Sequence, residues 1–120
     1  MFPTDGMLLR IFVGEGDRYD KRPLYEWIVT EAKANGLAGA TVLRGLMGFG
    51  ANSRVIHTFK IERLSEDLPI IIELVDTEEK IEFFLAFVEQ HIHSGFLATT
   101  EQIRVRFYRG DAATGSGAHV

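Results

Sequence analysis

The sequence predicts one α+β domain in which two helices cover one face of a four-stranded antiparallel sheet. The apolar pattern changes along the chain in the order strand, helix, strand, strand, helix, strand. A length of 120 residues, with 46% apolar and 25% charged residues, suits a single domain with a modest core. We assign residues 1–110 to this domain and 111–120 to a flexible tail, because the last ten residues are rich in glycine, alanine and serine.

The first strand is predicted at residues 7–13 and the first helix starts with Pro23 in its first turn. Residues 15–22 between them are predicted to be a polar loop. In the strand, one face carries Leu9, Ile11 and Val13, and the other carries Leu8, Arg10 and Phe12. The apolar side of the helix carries Leu24, Ile28, Val29 and Ala32. Asn35 and Gly36 then predict the end of the helix.

The second strand is predicted at residues 40–46 and the third at 70–75. Between them, residues 47–67 predict a long, partly mobile loop with a short alternating piece at 58–64. Pro69 indicates either the start of a strand or a strand at the sheet edge. Asp76 is predicted to cap the second helix. The apolar face of that helix carries Ile81, Phe84, Leu85, Val88 and Ile92.

The last strand is predicted within residues 96–108, with Ile103, Val105 and Phe107 on one face and Arg104, Arg106 and Tyr108 on the other. The complete order is the βαββαβ arrangement of ferredoxin-like folds, whose helices leave one sheet face bare. The alternation places on that bare face Leu8, Phe12, Ile71 and Val75. An uncovered apolar face indicates a partner, and we expect copies of the same chain.

A cluster of glycines follows the second strand within residues 44–54. Glycine weakens strands, so Gly45, Gly48 and Gly50 indicate a turn, a bulge or a close approach of another group to the backbone. Exposed backbone N–H groups can hold a phosphate, and Arg44 or Arg54 would supply positive charge. A plain loop is the alternative, since glycine clusters alone are weak signals.

Composition excludes several functions. The chain has no cysteine, which removes disulfides, thiolate catalysis and cysteine metal sites. A net charge of −4 argues against nonspecific binding to nucleic acid or anionic membranes. No apolar run is long enough to cross a bilayer and no signal peptide is evident, so we expect a cytoplasmic protein.

Catalytic motifs are absent from the sequence, which has no nucleophile elbow, no zinc-protease motif and no P-loop. The carboxylates of Glu78 and Glu79 fall in the first turn of a helix, where they have a structural role. His91 and His93, two residues apart, would not face each other on a helix, so no metal site is predicted there. We therefore expect a protein that is not an enzyme.

Three segments resemble a known family: Pro23-Leu-Tyr25, the run GLAGATVLRGLMGFGANS, and the run LSEDLPIIIELVDTEEKI. They are similar to the small PII-like proteins of the domain of unknown function 190 family, over about the first 110 residues. The resemblance implies a ferredoxin-like homotrimer that binds adenine nucleotides in clefts between subunits. It also implies a loop that reports occupancy to a target protein, with a membrane transporter as one candidate.

Site residues follow from this resemblance. The phosphate-binding turn would be Gly48-Phe49-Gly50, preceded by Arg44 and Gly45, and Arg104 with Arg106 would match the paired arginines of the last strand. Gly95 would stand where PII proteins have a second phosphate-contacting loop. The residues after Gly50 depart from the PII pattern that engages ATP, so we expect AMP or ADP in preference to ATP.

Alternatives to this assignment remain open. A small trimeric ferredoxin-like enzyme or metal-ion-tolerance protein could use His57 or carboxylates of the cleft. An RNA-binding sheet is the least supported, because the aromatic signature and basic charge are missing. For Arg104 and Arg106 the alternative to phosphate binding is a solvated face, or ion pairs with Glu73 or Glu101.

Overall fold

A computed structural model describes residues 5–50, 68–106 and 108–110. Within these residues, six strands and two helices follow one another along the chain. The elements are β1 (Asp5–Gly14), β2 (Arg18–Tyr19), β3 (Arg22–Pro23), α1 (Leu24–Ala34), β4 (Gly39–Arg44), β5 (Pro69–Asp76), α2 (Glu78–His91) and β6 (Leu97–Arg104). The long strands form an antiparallel sheet in the order β4-β5-β1-β6, which confirms the predicted ferredoxin-like fold.

Both helices pack on the same face of the sheet. The strand residues on that face alternate with exposed or half-buried neighbours, as expected for the period of a strand. The core residues are Met7, Leu9, Ile11, Val13, Ile70, Ile72 and Leu74 from the sheet, and Leu24, Trp27, Ile28, Ala32, Ile81, Phe84 and Val88 from the helices. The predicted helix faces are thus confirmed, although Val29 and Leu85 are only partly buried against the core. Ile92, directly after α2, and Trp27 are also core residues.

The opposite face of the sheet carries three rows of side chains in cross-strand register, with no helix of the described residues over it. Directly paired residues point to the same side, so the register defines the rows. One row is Leu43, Ile71, Phe12 and Leu97; the middle row is Thr41, Glu73, Arg10 and Thr99; the third row is Gly39, Val75, Leu8 and Glu101. We call this surface the open face, and it contains the four residues predicted for it.

Two short strands form a hairpin that the sequence analysis treated as loop. Tyr19 pairs with Arg22, and the intervening Asp20 and Lys21 have φ values of 54° and 69°. Positive φ at both central residues is the geometry of a type I′ turn. Such turns favour Asn-Gly or Asp-Gly, so the pair Asp-Lys gave little signal. The hairpin leads into α1, which begins at Leu24, one residue later than predicted.

Several boundaries differ from the prediction. The second helix is capped by Thr77, whose Oγ1 accepts a hydrogen bond from the Lys80 N–H at 3.3 Å, and not by Asp76. Pro69 opens β5, which is an interior strand, so the edge alternative is wrong. The last strand ends at Arg104, which leaves Arg106 outside it. The predicted strand piece at 58–64 and most of the predicted loop lie outside the described residues.

Candidate functional site

The glycine segment begins at one end of the sheet, where β4 meets the start of β5. The Gly45 N–H donates to the Pro69 carbonyl oxygen at 2.7 Å, and a Cβ on Gly45 would lie 2.9 Å from Pro69 Cγ. Gly48 has a φ of 151° and also packs near Pro69, whereas a Cβ on Gly50 would meet none of the described residues within 4 Å. Two of the three glycines therefore have a structural reason, whereas none of the described residues requires a glycine at position 50.

Arg44 and Glu15 form an ion pair at the same end of the sheet. Arg44 is the last residue of β4 and is 56% exposed, while the Glu15 side chain is only 20% exposed. The Glu15 backbone N–H donates to the Leu68 carbonyl oxygen at 2.8 Å. Arg44 is predicted from the sequence as a phosphate ligand and Glu15 as part of a polar loop, and no local pattern indicates that the two would pair.

Gly95 also lies at this end, in the turn between α2 and β6. Its φ of 90° is one that residues other than glycine rarely adopt. The start of β6 pairs with the end of β1, through Leu97 and Phe12. An open cavity of about 400 Å³ beside this turn is lined in part by Glu89, His93, Ser94, Phe96 and Leu97. The structure therefore brings the glycine segment, Arg44 and Gly95 to one end of the sheet.

Arg104 and Arg106 lie at the other end of the sheet. Arg104 pairs with Asp5 at the start of β1, whereas Gly14 at the end of β1 pairs with Pro69. The nine steps along β1 between these positions span about 30 Å. One subunit therefore cannot bring Arg104 and the glycine segment to the same small ligand.

Both arginines are exposed, and among the described residues neither forms an ion pair. The alternative partners suggested by the sequence, Glu73 and Glu101, pair instead with Arg10 on the open face, at 3.0 and 3.3 Å. The pKa of the Arg10 guanidinium is raised above its ordinary value, chiefly by the hydrogen bond from the guanidinium to Glu73. The ion-pair explanation for the two arginines is therefore wrong.

The arginine end contains a second cavity, of about 390 Å³, that sequence reasoning did not predict. Ala38 is held from both sides: its N–H donates to Asp76 Oδ2 at 2.8 Å and its carbonyl accepts from the Tyr108 hydroxyl at 3.1 Å. Asp76 is 3% exposed and also accepts from the Thr77 N–H. Asp76 therefore joins the turn after α1 to the start of α2, which explains why it is not the helix cap.

The two histidines near the end of α2 lie in different environments. His91 Nδ1 lies 2.9 Å from the Phe87 carbonyl oxygen, and its ring packs against Tyr19, Trp27 and Phe87. His93 is exposed beyond the helix. Within residues 5–50, 68–106 and 108–110, no three histidine, aspartate or glutamate side chains are grouped to hold a metal ion. His57, the histidine that the alternative enzyme or metal-ion-tolerance function would use, lies outside these ranges.

Among the helices of the described residues, none is both long and apolar enough to span a bilayer.

Comparison with known sequences identifies relatives over nearly the whole chain. The family model of DUF190, described as an uncharacterized ACR, matches residues 6–105. A UPF0166 protein of Aquifex aeolicus (strain VF5) is 39% identical over 98 residues, covering 82% of this chain and 90% of the relative. A UPF0166 protein of Methanocaldococcus jannaschii is 36% identical over 104 residues, covering 87% and 93%.

Solved structures of PII-like proteins share the fold. A candidate PII-like signalling protein from Thermus thermophilus matches with a TM-score of 0.61 at 22% identity, covering 88% of this chain and 93% of that one. CPII from Thiomonas intermedia K12, a nitrogen regulatory PII-like protein bound to ADP, AMP and bicarbonate, matches with a TM-score of 0.57 at 18% identity, covering 84% and 94%. The resemblance predicted from the sequence is confirmed, and the fold is that of PII-like proteins.

Proposed function

Because this chain belongs to the DUF190 (UPF0166) family, we propose that it is a PII-like regulatory protein that binds an adenine nucleotide between the subunits of a homotrimer. It acts in the cytoplasm without catalysing a reaction, and it signals to a target protein through the segment between β4 and β5. AMP and ADP bind in preference to ATP. The structural relative CPII, whose structure contains ADP and AMP, supports an adenine nucleotide as the ligand.

The separation of the predicted phosphate ligands is the observation that carries this proposal. The glycine segment with Arg44 lies at one end of the sheet, and Arg104 with Arg106 lies at the other. These groups can act on one ligand only if two copies of the chain place opposite ends side by side. A cleft between subunits satisfies this requirement, and a pocket within one subunit does not.

The open face supports the association of copies. One of its rows is entirely apolar and contains Leu43, Ile71, Phe12 and Leu97. In this row Leu43 is 43% and Leu97 is 52% exposed. A contiguous apolar surface of this kind is favourable to bury against a partner. Threefold closure lets every copy bury the face and complete a cleft. We expect light scattering to give about three times 13.5 kDa, and a stable monomer would contradict the assembly.

The binding test is calorimetry with AMP, ADP and ATP on the wild type and two site variants. Gly50→Val adds bulk where the ligand would approach, without changing charge. Arg106→Ala removes a charge-assisted hydrogen bond and should weaken binding by about 1.5 to 3 kcal/mol, or roughly ten- to hundredfold in Kd. Arg18→Ala, which removes an exposed arginine from the β2–β3 hairpin, is the matched control and should bind as the wild type does.

A mixing experiment tests whether the cleft is shared. When Gly50→Val and Arg106→Ala chains are unfolded together and refolded as mixed trimers, some clefts receive an intact glycine turn from one copy and an intact arginine from the next. Random mixing in a cyclic trimer restores about a quarter of the clefts. If the mixture binds no better than the separate variants, the ligand groups belong to a single subunit.

Nucleotide recovered unchanged after incubation is the result expected of a protein that is not an enzyme.

A further inference from the structure

Glu15 contacts both chain segments that meet at the glycine end of the sheet. Its carboxylate pairs with Arg44 at the end of β4, and its backbone N–H donates to the carbonyl oxygen of Leu68, the residue before β5. The turn that carries Glu15 is itself fixed, because Asp17 Oδ2 accepts from the Gly14 N–H at 2.9 Å and the Asp17 N–H donates to the Gly14 carbonyl at 3.1 Å. The backbone at Glu15 is therefore held independently of Arg44.

The carboxylate of Glu15 is only half satisfied. Oε2 pairs with Arg44, whereas Oε1 is buried and has no hydrogen-bond partner among the described residues. A buried acceptor without a partner loses its hydration and gains no hydrogen bond in return. The arrangement therefore lowers the stability of the fold. Such a cost at a predicted ligand site suggests a functional reason.

We propose that Glu15 competes with the ligand's phosphate for Arg44 and makes the site select nucleotides with fewer phosphates. The inference rests on the function proposed above. Among the described residues, Arg44 is the arginine nearest the glycine turn in sequence, and Glu15 pairs with its charge. A phosphate that binds Nη2 of Arg44 competes with the carboxylate for that nitrogen, and a carboxylate left beside the ligand repels it.

The repulsion grows with the charge of the ligand. A fixed carboxylate costs a triphosphate more than a monophosphate, provided that the phosphate chain passes the same position. A repulsive group is one of the two general ways in which a site acquires specificity. Glu15 is therefore a specificity-determining residue that disfavours ATP relative to AMP.

The test is E15Q, which keeps the shape of the side chain and removes its charge. Because a charge-assisted hydrogen bond to Arg44 becomes available to the ligand, we expect ADP to bind about tenfold more tightly by calorimetry. The gain should be smaller for AMP and larger for ATP. E82Q, which removes an exposed carboxylate from α2, is the matched control and should leave all three affinities unchanged.

A double-mutant cycle shows whether the effect passes through Arg44. In R44A the affinity falls, and adding E15Q to R44A should give a smaller gain than E15Q gives alone, because only the relief of repulsion remains. If the gain is as large in R44A as in the wild type, or if E15Q improves AMP, ADP and ATP equally, the competition is overturned. Should E15Q fail to fold, E15D withdraws the carboxylate by one methylene group and should give a gain of the same sign.

The cycle also separates this inference from the function on which it rests. If the wild type binds adenine nucleotides and E15Q binds them no better, only the role of Glu15 falls. If neither protein binds any adenine nucleotide below millimolar concentration, both fall. Pyrophosphate serves as a probe without the base, and it too should bind E15Q more tightly than the wild type.

Discussion

The two faces of the main sheet are built from alternate residues of the same strands, yet they differ in what completes them. On the covered face Leu9, Ile11 and Ile72 are fully buried by the chain's own helices. On the open face, Leu8 and Phe12 are only half-buried, and the middle row contains charged side chains. The difference shows that one face is covered within the monomer, whereas no helix of the described residues covers the other. The predictions below test this division, starting with the largest expected effect.

Adjacent leucines in β1 give a matched pair for the two faces. Leu9→Ala removes a fully buried side chain and should lower the free energy of unfolding by about 2–5 kcal/mol, the usual cost of such a cavity. Leu8→Ala makes the same change on the open face and should cost much less in the monomer. Urea unfolding of both variants under monomeric conditions checks this. Equal losses would mean that the open face is already closed within one chain.

Phe12→Glu should dissociate the assembly while leaving the subunit folded. In the proposed trimer the new carboxylate would be buried without a partner, which is costly. The control is Phe83→Glu, which makes the same change at a residue of α2 that is 69% exposed and should leave the assembly intact. Light scattering and circular dichroism measure the two effects. A Phe12→Glu protein that stays trimeric would place the interface elsewhere.

Arg10 and Glu73 form an ion pair in the middle row of the open face, so their contribution depends on whether a partner buries them. Arg10→Met should weaken self-association because it leaves Glu73 without its cation, whereas the double variant Arg10→Met/Glu73→Leu should restore it. Replacing both members of a buried pair is often tolerated where removing one is not. Dissociation constants from dilution experiments give the comparison. If the single variant associates normally, the pair remains in solvent.

Glu101→Gln should have the smallest effect. Glu101 contacts Arg10 at 3.3 Å, but its side chain is 61% exposed, and such ion pairs contribute little. We expect the dissociation constant of the assembly to rise by about two- to fivefold at most. A larger change in the same dilution experiment would mean that Glu101 is buried by a neighbouring copy.

Local patterns in the sequence predicted most of the fold. Alternation in β1 and β5 separated the two faces, because strand side chains point to opposite sides in turn. The apolar stripe of α2 identified Ile81, Phe84 and Val88 as core residues, because helix residues three or four positions apart lie on the same face. Errors occurred where one residue competes with its neighbour for a role, as when Thr77 and not Asp76 caps α2. The type I′ hairpin was missed because Asp20 and Lys21 are untypical of that turn.

The candidate site was less accessible to sequence reasoning. Residue types and family resemblance singled out Gly48, Gly50 and Arg106, and their roles as ligands remain predictions. Their separation along β1 became visible only in the sheet register, because register depends on pairing between residues that are far apart in the sequence. Because of that separation, one small ligand can contact both groups only in a cleft shared by two copies of the chain.

The sequence by itself determined which apolar residues share a face of each strand, because successive side chains of a strand point to opposite sides. Only the tertiary structure decided which polar groups meet. Glu15 and Arg44 are 29 positions apart, Arg10 and Glu73 are 63 apart, and Tyr108 and Ala38 are 70 apart. These contacts depend on strand register and on the path of the chain past the ends of the sheet. Pairing over such distances is set by the packing of the whole domain, because any charged side chain could find several partners of opposite sign in an unfolded chain.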